Sequence, residues 1–134
     1  MKNKIIKLKK HSDRRGGLIA IEGGIDLPFE IRRIYYLFDN EHCETRGQHA
    51  HRSLKQLIIC VHGNCSLKLE TTDGVTHFKL NSPDEGLLVE QMTWREIYEV
   101  SKDCVVLVLA SEHYDEADYI RDYQEFIQAI GECK

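Results

Sequence analysis

No apolar run in this chain of 134 residues approaches the roughly twenty residues needed to cross a bilayer as a helix. The basic N-terminus interleaves Lys2, Lys4, Lys7, Lys9 and Lys10 with Ile5, Ile6 and Leu8, and it lacks the long apolar stretch of an export signal. Positive charge is not in excess: the formal net charge is −4, which gives no general reason to expect nucleic acid or a membrane as partner. The five cysteines, Cys43, Cys60, Cys65, Cys104 and Cys133, are odd in number and never fall in a Cys-x-x-Cys spacing. Without an export signal they read as reduced thiols in a cytoplasmic protein, with Cys60 and Cys104 as small core residues inside apolar runs. No linker, internal repeat or low-complexity segment divides the chain. Residues 1–134 are therefore expected to form one domain, long enough to bury a proper core.

What is present is a succession of short strand signals. Hydrophobic residues make up 42% and charged residues 30%, an ordinary balance for a globular domain, so patterning must decide the class. Candidate strands are Lys4–Leu8, Leu18–Glu22, Ile31–Phe38, Gln56–Val61, Ser66–Thr71, Thr76–Leu80, Gly86–Glu90, Thr93–Val100 and Cys104–Ala110. Between them lie Arg15-Gly16-Gly17, Gly23-Gly24, His62-Gly63-Asn64, Asp73-Gly74 and Asn81-Ser82-Pro83. Asp73-Gly74 predicts a hairpin with a type I′ turn. This spacing predicts an all-β sandwich or barrel. The tail differs: Ile120, Tyr123, Ile127 and Ile130 recur at three- and four-residue steps. They predict a helix within Ser111–Ile130 that starts on Glu112, Asp115, Glu116 and Asp118 and stops at Gly131.

The chemistry centres on Arg46-Gly47-Gln48-His49-Ala50-His51, just before the buried run from Gln56. On a β element His49 and His51 share a face, and two imidazoles on one face make either half of a metal site or an acid–base pair. In cupins, small β-barrels, His-x-His opens a metal motif and a glutamate follows four or five residues after the second histidine. Here those positions hold Lys55 and Gln56. The second cupin motif should add a histidine after Pro-x-Gly, but the strand after Pro83-Asp84-Glu85-Gly86 has none. Two ligands beside a lysine make a poor divalent site, so no metal and no cofactor are expected.

Three blocks together resemble the sugar 3,4-ketoisomerases: Arg32-Arg33-Ile34-Tyr35-Tyr36-Leu37-Phe38-Asp39, then Arg46-Gly47-x-His49-Ala50-His51, then Ala110-Ser111-x-x-Tyr114-Asp115-Glu116-x-Asp118-Tyr119-Ile120-Arg121. The resemblance runs over nearly the whole chain. Gln48 departs from it, standing where an aromatic residue or histidine is expected. It implies a cupin-type jelly-roll antiparallel β-barrel with a C-terminal α-helix. It also implies a metal-independent homodimer acting on dTDP-4-dehydro-6-deoxy-D-glucose. The product it implies is a 3-keto sugar, of galacto or gluco configuration, destined for an aminotransferase and the 3-amino-3,6-dideoxyhexoses of bacterial surface glycans.

That reaction needs a base for the C3 proton, a donor for C4, and positive charge beside the enediolate oxygen. His49 and His51 are the expected acid–base pair, with His49 the first choice for the base. Arg15, Arg46 and Arg95 are expected either at the enediolate or at the diphosphate. Arg33, Tyr35 and Trp94 complete the expected substrate-binding set. Of the neighbours Tyr35 and Tyr36, one should face the cavity and the other the exterior or a partner. His42, His62, His77 and His113 read as surface residues. The short basic strand Lys4–Leu8 could add to a partner's sheet edge. A related nucleotide-sugar epimerase and a non-catalytic sugar-binding cupin are the alternative readings.

Overall fold

Period-two alternation of side chains organises the molecule into two facing antiparallel sheets. The computed structural model describes residues 2–132, so Cys133 lies outside the described residues. In chain order the strands are β1 (Lys4–Lys7), β2 (Lys10–Asp13), β3 (Gly16–Ile19), β4 (Arg33–Leu37), β5 (Arg46–His51), β6 (Gln56–His62), β7 (Cys65–Thr71), β8 (Gly74–Leu80), β9 (Glu85–Val89), β10 (Trp94–Tyr98), β11 (Val105–Ala110) and β12 (Tyr119–Ile120). A single 3-10 turn at Glu116–Asp118 precedes β12, and helix α1 (Tyr123–Glu132) ends the described chain. One sheet runs β1-β9-β6-β11-β4 and the other β12-β5-β10-β7-β8, while β2 and β3 pair only with each other. The ladders of the two large sheets stay separate, so the expected barrel is realised as a sandwich.

Each strand divides its residues between two layers. Ile58 and Cys60 of β6, Leu67 and Leu69 of β7, Leu87 and Val89 of β9, and Val106 and Val108 of β11 meet between the sheets. Leu57, Ile59, Leu88 and Leu109 point the opposite way, under Leu8, Leu27 and partly buried residues from Ile19 to Ile31. With both faces covered, β6 reads in sequence as an unbroken apolar run. On the outer face of the second sheet, Ala50 and Trp94 pack with Ile120 beneath Phe126 and Ile130 of α1.

Three local expectations need correction. The Ser111–Ile130 helix is confined to α1, because the acidic segment before it spends its carboxylates on turns and side chains; α1 also runs past Gly131 to Glu132. The histidine pair lies on its own strand, β5, in the sheet opposite β6. The tight turn between β7 and β8 is Thr72-Asp73, and Gly74 alone takes the positive φ of 114°. The N-terminal strand β1 lies at the edge of its sheet, paired with β9 with Ile5 opposite Leu87. The hairpin of β2 and β3 joins neither large sheet; Leu18 is exposed on it, while Ile19 packs on the layer of Leu57 and Ile59. No helix among the described residues is long and apolar enough to cross a membrane.

Candidate active site

A bulge in β5 aims the histidines. Against β10, His49 pairs with Arg95 and Gly47 with Glu96, so Gln48 is the extra residue. Gly47 has φ of 90° and Gln48 of 40°. A Cβ on Gly47 would sit 3.3 Å from the Arg95 carbonyl oxygen and 3.4 Å from its Cγ, so glycine is needed both for the backbone and for the approach. Gln48 is exposed, which explains why its departure from the family pattern leaves the pair intact. The bulge opens into a cavity of about 470 Å³ between the sheets, lined by Arg33, Tyr35, Arg46, His49, Arg95 and Tyr119 among others.

The two imidazoles meet edge to face with centroids 4.8 Å apart, and Tyr119 packs on both, 5.1 Å from His49 and 4.3 Å from His51. His49 Nδ1 bonds the Gly47 carbonyl. A carbonyl only accepts, so Nδ1 carries the proton and the Nε2 lone pair is bare. His51 is fully buried, with Nδ1 3.1 Å from Asp118 Oδ2. Both Nε2 atoms are buried without a partner. Burial, reinforced by the Arg95 guanidinium, lowers the His49 pKa to about 4 and that of His51 to about 2. For His51 this outweighs the nearby carboxylate, and both rings are neutral at pH 7.

The cationic wall is anchored on Arg95, which is 2% exposed. It donates through Nη1 to Gln56 Oε1 and through Nη2 to the Thr93 carbonyl at 3.0 Å, and its buried Nε has no partner. Burial lowers its pKa to about 10, which leaves it charged at neutral pH. Gln56 Nε2 donates to the Tyr35 hydroxyl at 3.0 Å, so the Tyr35 proton is free to point elsewhere. The amide standing where a metal-binding carboxylate was sought therefore clamps Arg95 to Tyr35. Arg33 lies 5.1 Å from the Tyr35 ring and 5.5 Å from that of Tyr114. Arg33, Arg46 and Arg95 form no ion pair with a carboxylate among the described residues, whereas Arg121 is held by Glu116 at 2.7 Å.

The structure thus brings together His49, His51, Arg33, Tyr35, Arg46 and Arg95, and it leaves two expected residues outside. Trp94 neighbours Arg95, so strand alternation turns it to the outer face, where it packs 5.7 Å from Phe126 and donates to Glu96. Arg15 sits in the turn of the β2–β3 hairpin, exposed and paired with Asp13 at 2.6 Å. Tyr36 faces outward and is exposed. Tyr114, Tyr119 and Arg121 carry no site role in the sequence analysis, and Asp118 stands there only as part of a helix start. Reading their segment as helix hid β12, whose pairing of Tyr119 with His51 carries them to the site. The group of three potential metal-ligating side chains among the described residues lies in the core instead: Cys60, Cys65 and Cys104.

Comparison with known proteins agrees with this geometry. Residues 1–131 match the family model described as FdtA: WxcM-like, C-terminal. A TDP-4-oxo-6-deoxy-alpha-D-glucose-3,4-oxoisomerase of Aneurinibacillus thermoaerophilus is 45% identical over 131 residues, 98% of this chain and 94% of the relative. The crystal structure of QdtA, a sugar 3,4-ketoisomerase from Thermoanaerobacterium thermosaccharolyticum in complex with TDP, is 41% identical. It superposes with a TM-score of 0.94 over 98% of this chain and 96% of its own. The WlaRB TDP-quinovose 3,4-ketoisomerase of Campylobacter jejuni is 43% identical, with a TM-score of 0.89 over 94% and 97% of the two chains.

Proposed function

The chain belongs to the FdtA family of sugar 3,4-ketoisomerases, and from that premise we propose how it converts TDP-4-oxo-6-deoxyglucose to the 3-keto sugar. The observation that carries the reading is the pair of neutral imidazoles with bare, buried Nε2 atoms, His49 lining a cavity in which Arg33, Arg46 and Arg95 form no ion pair with a carboxylate among the described residues. His49 takes the C3 proton, acidified by the C4 ketone, and the electron pair moves into a C3–C4 double bond. Negative charge gathers on O4, beside the Arg95 guanidinium. His51 Nε2 takes the O3 proton and returns it to O4, and the proton held by His49 is delivered to C4, so ketone and hydroxyl exchange with no net change in protons. The Tyr35 hydroxyl, whose oxygen accepts from Gln56, donates to a sugar oxygen. Arg33 and Arg46 bind the diphosphate. Its negative charge offsets the cations that depress the histidines, raising their basicity once substrate is bound.

Residues 1–134 act as one catalytic domain in the cytoplasm, ahead of an aminotransferase in the biosynthesis of deoxyaminosugars for surface glycans. Incubation with TDP-4-oxo-6-deoxyglucose followed by NMR tests the reading. A 3-keto product is expected. Epimerised 4-keto sugar, or unchanged substrate, overturns it.

No metal takes part, because Gln56 and Lys55 replace the carboxylate and Gln56 is already committed to Arg95 and Tyr35. Turnover is expected to survive dialysis against a chelator. Stoichiometric zinc, iron or manganese whose removal abolishes activity would show otherwise.

The active species is a homodimer. Ile34, Tyr36 and Phe38 are exposed on or beside the edge strand β4, and Leu18 is exposed on the β2–β3 hairpin. Light scattering at micromolar concentration should give twice the chain mass; a monomer mass refutes the dimer.

A further inference from the structure

We infer that Asp118 is a positioning residue that fixes the tautomer and orientation of His51; the inference rests on the proton-relay reading of that histidine. Asp118 closes the 3-10 turn before β12, and four contacts immobilise it. Its Oδ1 accepts from the Ser53 backbone N–H at 2.7 Å, and its Oδ2 from that of Leu54 at 3.4 Å. Its own N–H donates to the Asp115 carbonyl at 3.0 Å, and its carbonyl accepts from Arg52 N–H at 2.9 Å. The remaining approach to Oδ2 is filled by His51 Nδ1 at 3.1 Å.

A carboxylate oxygen has no proton to give, so the His51 proton sits on Nδ1 and the lone pair on Nε2. The latter nitrogen is buried, unpartnered and beside His49. Without Asp118 no acceptor would hold the proton on Nδ1. Imidazole could then present Nε2–H to the sugar and could not accept a proton there. The connection was invisible in a linear reading: 67 residues separate the pair, and β12, only two residues long, carries Asp118 alongside β5.

The informative substitution is Asp118→Asn. Ser53 N–H at 2.7 Å holds its oxygen more closely than Leu54 N–H at 3.4 Å, so the variant keeps its amide oxygen on Ser53 and turns its NH2 to His51 at the expense of the longer Leu54 bond. That NH2 would donate to Nδ1 and move the ring proton to Nε2. Nitrogen-15 NMR of the histidine side chains, assigned by comparison with His51→Asn, reads this directly. Wild-type protein should show a pyrrole-like Nδ1 and a pyridine-like Nε2 for His51, reversed in Asp118→Asn. Turnover should fall about 10²–10⁴-fold, the usual worth of a general acid–base group, with KM changed less than about threefold. A wild-type ring protonated on Nε2 overturns the inference without any variant, so it stays testable if Asp118→Asn does not fold. Unchanged turnover despite the reversed tautomer also overturns it, provided His51→Asn is impaired. Should His51→Asn itself keep wild-type turnover, it is the relay reading that fails.

Discussion

Replacing His49 or His51 with asparagine is expected to cut turnover by about 10²–10⁴-fold each, the span of general acid–base catalysis, or about 2.7–5.5 kcal/mol of barrier. Asparagine keeps approximate size and one hydrogen bond but cannot exchange a proton near pH 7. At position 49 its amide can still donate to the Gly47 carbonyl, so the bulge survives and the loss is chemical. TDP binding should hardly change, because Arg33 and Arg46 are untouched. In deuterated water the wild-type enzyme should place deuterium in the sugar ring at the exchanged carbons. His49→Asn should stop exchange at C3 altogether, whereas His51→Asn can still exchange C3 slowly without forming product. Wild-type turnover in both variants would make the histidines structural and the mechanism wrong.

How far the sequence carried this reading follows from the range of its physical signals. Strand alternation is local, so the apolar runs of β6, β7, β9 and β11 were legible within a residue or two. The same logic, applied to Trp94 and Arg95, required one to be outside once the other was inside, yet composition favoured both as ligands; only the packing of α1 shows which face is which. The histidine pair was legible as a motif, but its strand was not, because β5 is polar and bulged. Asp118 and Tyr119 were read as the start of a helix. Their placement is decided by the pairing of Tyr119 with His51, a long-range contact that no local periodicity encodes. Arg15 shows the opposite limit: it was legible as a cation, but its hairpin stands apart from both large sheets.

Arg95→Met is expected to lower turnover by about 10²–10³-fold, the typical effect of removing a group that stabilises an oxyanion in a buried site. It should also move the acid limb of kcat/KM upward. The base works when neutral, so in the wild type kcat/KM should hold as pH falls below 6 and decline only towards the His49 pKa of about 4. Burial is the larger cause of that depression and Arg95 the next, so the variant limb should rise but remain below 6.5. Stability responds through the same groups. Above pH 6.5 the histidines are neutral in both folded and unfolded chains and contribute no pH dependence. Between 6.5 and the folded pKa the unfolded chain binds protons that the native state refuses. Stability is therefore lost as pH falls, by about 1.4 kcal/mol per pH unit for each histidine. Loss of Arg95 should shrink that acid-side loss. Arg95→Lys separates the two effects: it keeps the charge, so the limb should stay in place, but it lacks the fork that reaches both Gln56 and Thr93, so turnover should still fall. Stopped assays from pH 4 to 8 with thermal melts at each pH give both readouts. Wild-type turnover and an unmoved limb in Arg95→Met would remove Arg95 from the enediolate and leave it as a structural clamp on Gln56.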